Sequence, residues 1–225
     1  MKRNQSGFTL IEIAIVLVII GLLLGGVLKG QELINSAKVK NLAGDFKNIP
    51  VFIYGYQDKF KALPGDLNQA RLDTQFTPAG TATSCGLTVA GACDNGNGVI
   101  EGLWDAVAVT SESFLFWQHV RLAGLAPGPT ATGAADYLPL NAVGGRLGIT
   151  NIAQTPITGL RGSYIVCSNG IAGKFARQLD TTLDDGNTAT GSLMVVAAGT
   201  STPAVAPIAT ATLVDDTPYL VCMGV

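Results

Sequence analysis

Gly7-Phe8-Thr9-Leu10-Ile11-Glu12 decides how this chain is read, because the residues that follow, Ile13 through Leu28, carry no charge at all. The 21 residues from Phe8 to Leu28 match the ~20 that cross a hydrocarbon core as a helix. Glu12 stands near the start of that segment, and a carboxylate in such a helix costs roughly 2.5–3.5 kcal/mol at mid-membrane depth. A residue that expensive calls for a use. Ahead of it lies a short polar leader with Lys2 and Arg3, which in a membrane anchor would hold the N-terminus in the cytoplasm by the positive-inside rule.

Two ordinary explanations fit less well. A secretory signal has an apolar core of about 7–15 residues and a small-residue cleavage site, whereas this run is longer and passes into Lys29-Gly30-Gln31-Glu32 without an Ala-x-Ala pattern. A plain membrane anchor leaves both the Gly7-Phe8 junction and Glu12 unexplained. The basic leader, the Gly-Phe junction, the Glu and the apolar run, in that order, resemble the N-terminal signature of type IV pilins and of the pseudopilins of type II secretion. The resemblance implies that a prepilin peptidase cuts on the cytoplasmic side between Gly7 and Phe8 and methylates the new N-terminus, Phe8. It also implies that Glu12 of one subunit meets the N-terminal amine of a neighbour during assembly. Opposite charges attract more strongly in apolar surroundings than in water, so this pairing offsets the cost of the carboxylate and sets the axial register of a helical filament. Snorkelling of Glu12 to the membrane interface is the rival account of its position.

Beyond the membrane-length segment, Leu33, Ala37, Leu42, Phe46, Ile49, Ile53, Tyr56 and Phe60 keep a roughly helical spacing. The chain then divides into a leader, 1–7, a long helix, 8–61, and a globular head, 62–225. Residues 8–28 are the transmembrane and filament-core part of the helix, and the rest is amphipathic. At ~1.5 Å per residue the helix would measure about 81 Å. Pro50 removes one backbone donor and should bend the helix without ending it. Ala62-Leu63-Pro64-Gly65-Asp66 marks the exit, since Pro and Gly together stop a helix and open a turn. That turn is similar to one in pilin-like proteins with larger heads, as are Glu112 through Gly124 and Asp180 through Gly186. In the head, residues 111–123 read as a helix capped by Thr110 or Ser111. Ile171, Phe175 and Leu179 share a helical face. Residues 162–168, 192–198 and 218–223 read as strands, and 199–207 as an exposed loop. The expected fold is α+β: a long N-terminal hydrophobic α-helix with an antiparallel β-sheet head, pilin-like.

Four cysteines in an exported domain form two disulfides most simply, because the far side of the inner membrane is oxidising. Cys85 and Cys93 enclose a Gly-rich segment and are partners by proximity, while Cys167 and Cys222 sit in apolar strands and would tie the C-terminus to the sheet. Zinc ligation is disfavoured, since there is no Cys-x-x-Cys and the single histidine, His119, is distant in sequence. The stretch Cys93 to Ile100 partly matches a calcium loop, with Asp94, Asn95, Asn97 and Glu101 as candidate ligands. Cys93 would fall at the first ligand position and Trp104 at the twelfth, where Glu is required, so a Gly/Asn turn beside a disulfide is the preferred reading and Ca2+ the alternative. No other cofactor is expected. Asp180, Asp184 and Asp185 form a second acidic group, read as a cap and turn.

Catalysis finds little support in this sequence, and a non-enzymatic chain is expected. One histidine on a Trp-bearing helix does not supply a Ser-His-Asp arrangement, and no phosphate loop or dinucleotide fingerprint occurs. Loss of residues 1–7 takes the formal charge from −2 to −4, which gives no basis for nucleic-acid binding through bulk charge. The expectation is therefore a structural subunit of a type IV pilus or pilus-like filament, polymerised through its N-terminal helix. Its partners would be prepilin peptidase, an inner-membrane assembly platform and homo-oligomeric or pilin-like neighbours. It would sit in the bacterial inner membrane as a precursor, then in a filament in the periplasm or at the cell surface. The alternatives are a pseudopilin of a type II secretion system, or a membrane-anchored adhesin or binding domain that never polymerises.

Overall fold

The computed structural model describes residues 9–85 and 96–225. Its first element is helix α1, Leu10–Phe60, 51 residues long with Pro50 inside it. By its internal contacts the chain divides into two units between Lys38 and Val39. In the first unit, every large apolar side chain from Leu10 to Leu28 is exposed, and the segment is long and apolar enough to cross a membrane. In the second unit, α1 contributes Val39, Leu42, Ala43, Phe46, Ile49, Ile53 and Tyr56, all buried and recurring every three or four residues, as one face of a helix does. The stripe expected to start at Leu33 starts instead at Val39. Leu33 and Ala37 are exposed and belong to the first unit, in which the described residues hold no second element for a helix to pack on. Lys61, with φ of +53°, takes the left-handed conformation that closes a helix, and its N–H donates to Gln57 O at 2.8 Å.

The second unit adds α2 (Gln69–Gln75), α3 (Glu112–Leu122), β1 (Leu147–Asn151), β2 (Tyr164–Ala172), α4 (Gly173–Leu183), β3 (Leu193–Ala197) and β4 (Pro218–Gly224), with short 3-10 turns at Ile152–Gln154 and Thr210–Thr212. The strands form one sheet in the order β1-β2-β4-β3, antiparallel throughout. Both faces of this sheet are covered. Leu147, Ile149, Val166, Leu193, Val195 and Val221 face a core shared with α1, α3 and α4. Ile165, Cys167, Met194, Val196, Leu220 and Cys222 face a second cluster with Trp104, Ile157 and Leu160. Strands buried on both sides read in sequence as continuous apolar runs and lose the alternation of a half-exposed strand.

Two sequence boundaries move. β2 continues to Ala172, so Ile171 belongs to the strand and only Phe175 and Leu179 to the helix after it. The register between β2 and β4 shifts between Ser168 and Ile171, and such a bulge carries the strand past the point where its pattern breaks. β1 and α2, absent from the sequence reading, are real elements. Helix α3 starts after Ser111, which makes no side-chain cap bond. It ends as expected at Gly124, where Gly124 N–H donates to Arg121 O and Leu125 N–H donates to Val120 O, the paired bonds of a Schellman motif. Leu125 then packs on Gly55 of α1, where a Cβ would stand 3.2 Å from its side chain.

Candidate functional site

Helix α1 begins with a closed set of hydrogen bonds. Thr9 N–H and Thr9 Oγ1 both donate to Glu12 Oε2 at 2.8 Å, and Glu12 N–H donates to Thr9 Oγ1 at 3.3 Å. With Leu10 as the first helical residue, Thr9 is the N-cap and Glu12 the third helical position, so the four residues make a capping box. The signal for it, Thr-x-x-Glu before an apolar run, was open to sequence reading. Glu12 and Thr9 thus each satisfy a backbone N–H that the helix start would otherwise leave unpaired, and the charge of Glu12 lies at the end of the helix where a negative charge is favoured. Glu12 Oε1 makes no hydrogen bond among the described residues, which leaves one carboxylate oxygen for a cation brought from outside. Gly7 and Phe8, the expected cleavage and methylation residues, lie outside the described residues.

The head brings together the stretches that the sequence marked separately. Asp66, at the end of the Leu63-Pro64-Gly65-Asp66 turn, is buried and accepts Asn97 N–H at 3.2 Å and Gly98 N–H at 2.7 Å. Burial pushes its carboxyl above the usual range, opposed by the backbone N–H groups of Gly98, Asn97 and Gly96. Gly65 N–H donates to His119 Nδ1 at 2.8 Å, so the ring proton sits on Nε2, which donates to Thr83 O at 2.9 Å. Complete burial lowers the His119 pKa to about 4. A neutral imidazole with both nitrogens engaged has none left for a substrate. Glu112, fully buried at the start of α3, accepts Glu101 N–H at 2.8 Å.

Gly65 is where these contacts converge. Its φ of +97° lies in a region that L side chains avoid, and a Cβ there would stand 2.5 Å from Glu112 O, a backbone atom that cannot swing aside. Gly65→Ala is expected to destabilise the full-length protein in detergent by about 2–4 kcal/mol, combining backbone strain with overpacking. Chemical denaturation followed by tryptophan fluorescence measures it, and a loss below about 1 kcal/mol would show that the turn relaxes freely.

The candidate calcium ligands fall on both sides of the described boundary. Asp94 and Asn95 lie outside it. Asn97 Nδ2 donates to Glu101 Oε1 at 3.1 Å, and Asn97 Oδ1 accepts Val99 N–H at 2.8 Å. Asn97 and Glu101 therefore meet each other within a turn anchored by Asp66, a carboxylate from another loop that local spacing did not reveal. Cys167 and Cys222 are directly opposed between β2 and β4 and joined by a disulfide. Cys85 is buried, and its expected partner, Cys93, lies outside the described residues.

Comparison with known proteins agrees with the chemistry of the helix start. Residues 2–28 match the family described as the prokaryotic N-terminal methylation motif. A search of curated proteins finds no match to the chain. Residues 2–28 therefore carry the prepilin-type signature found in type IV pilins and pseudopilins, at the start of a membrane-length apolar helix that leads into a four-stranded antiparallel sheet.

Proposed function

We propose that the chain is a structural subunit of a type IV pilus or pilus-like filament. It is cut between Gly7 and Phe8 by prepilin peptidase, methylated at Phe8 and polymerised through α1. The observation that carries this reading is that every large apolar side chain from Leu10 to Leu28 is exposed, behind a carboxylate that caps the helix start. At about 25 cal/mol per Å2, a surface of that kind has to be covered, by lipid in the precursor and by neighbouring helices in the filament. Small, non-directional packing suits both environments, and Glu12 supplies the one charged contact that gives the filament a register. The precursor resides in the inner membrane with the head on the far side, and the assembly platform draws it out into the growing fibre.

Co-expression with a prepilin peptidase and an assembly platform tests the proposal. Mass spectrometry of the product is expected to find an N-terminus at Phe8 carrying one added methyl group, and electron microscopy to find the protein in filaments. A product still starting at Met1 and never recovered in filaments would overturn it in favour of an anchored binding domain.

A further inference from the structure

The C-terminal end of α4 gathers three carboxylates. Asp180 lies one turn before the end of the helix, Asp184 is its C-cap and Asp185 follows, and one oxygen from each lies within 4.8 Å of the others. Carboxylates at this end of a helix oppose its dipole, and their mutual repulsion adds to that cost. Among the described residues no Lys or Arg forms an ion pair with any of them. The two cations of α4 are engaged elsewhere, Lys174 with Asp216 and Arg177 with Asp215.

Asp180 is the second and separate observation. Its side chain is fully buried, and neither carboxylate oxygen has a hydrogen-bond partner. The N–H of Gly186 lies close enough to ease the charge but outside hydrogen-bonding geometry. An unpaired carboxylate in such a place costs several kcal/mol unless a cation or proton meets it. The other two carboxylates are held in place around it. Asp184 Oδ2 accepts Leu193 N–H at 2.8 Å, and the backbone can come that close only because residue 191 is glycine, whose Cβ would stand 2.0 Å from Asp184 Oδ2. Asp185 accepts Asn187 N–H and the Thr190 hydroxyl, each at 2.8 Å. These bonds leave Asp184 Oδ1 and second lone pairs on the Asp185 oxygens for another partner.

We propose that Asp180, Asp184 and Asp185 bind a divalent cation, calcium, at the junction of α4 and the loop leading to β3. The ligand set is oxygen only, as a hard cation requires, and its spread fits oxygens about 2.3–2.6 Å from a central Ca2+. Asp180 supplies the buried side of the coordination sphere, and water completes the exposed side. The loop so held also carries Thr188, whose hydroxyl donates to Ile208 O at 2.8 Å. The ion would therefore order the Thr/Pro-rich segment before β4 as well. The site stands independently of whether the chain polymerises.

Thermal melting of the EDTA-treated full-length protein in detergent, titrated with CaCl2, MgCl2 or NaCl at matched ionic strength, tests the proposal. Calcium is expected to raise Tm by about 5–11 °C at roughly a hundred times Kd, with Kd in the range of about 10⁻⁴–10⁻³ M typical of extracellular sites. Asp180→Asn, nearly isosteric, is expected to melt no lower than wild type in EDTA and to lose the calcium shift. Asp185→Asn gives the same reading should the first variant fail to fold. A wild-type shift that NaCl reproduces, no shift at all, or a calcium shift retained in either variant would overturn the proposal.

Discussion

Glu12→Gln and Glu12→Ala are expected to abolish filament assembly alike, with the precursor still inserted in the membrane and still cut after Gly7. The pair of variants separates the two uses of this carboxylate. Within one chain Glu12 closes the capping box with Thr9, a contribution of about 0.5–2 kcal/mol to the helix start. Gln also serves at the third position of a capping box, so Glu12→Gln keeps that role and removes only the charge. In the proposed pairing between chains, the charge would be the whole of the interaction: a neutral amide offers a neighbour's ammonium a single weak hydrogen bond in place of a charge-assisted one. Equal loss of filaments in both variants, counted by electron microscopy and by immunoblot of sheared cells, would place the requirement on the intermolecular pair. Normal assembly of Glu12→Gln beside failure of Glu12→Ala would assign Glu12 to capping alone.

The membrane-length helix was legible because its cause is local. An uncharged apolar run with Thr-x-x-Glu at its start needs nothing from the rest of the chain to be recognised. Its amphipathic continuation was legible as a period, but where burial begins was not, since Leu33 and Ala37 fit the spacing as well as Val39 does. β3 and β4 were read as apolar runs because each is covered on both faces. β1 escaped for the opposite reason. Leu-Gly-Ile-Thr-Asn is short and mixed, and only pairing with β2 makes it a strand.

The head's polar cluster shows the same division more sharply. Leu63 to Asp66, residues 97–101 and Glu112 to His119 were each visible as motifs. What joins them is contact across long sequence separations, from Gly65 to His119 and from Asp66 to Gly98, for which spacing carries no signal. The burial of Asp180 has the same character. Its neighbours in sequence read as a helix end and a turn, and only the packed structure shows its carboxylate enclosed without a partner.

The Cys167–Cys222 disulfide carries the other large expected effect. The two residues are opposed across the two central strands, both fully buried, on the sheet face away from α1, α3 and α4. The sheet's own hydrogen bonds and apolar cover already hold the native geometry there, so the bond acts chiefly on the unfolded chain by closing a loop across a separation of 55 residues. The chain-entropy relation gives about 4 kcal/mol for a loop of that size. Cys167→Ala/Cys222→Ala is therefore expected to lower Tm by about 8–16 °C, with the sheet still formed by circular dichroism below the transition. The corresponding double Ser variant should lose more, because it buries two hydroxyls where thiols and a disulfide had no need of partners. A double Ala variant within about 1 kcal/mol of wild type would mean that the unfolded chain already keeps β2 near β4, and that the fold of the head rests on its two apolar clusters instead.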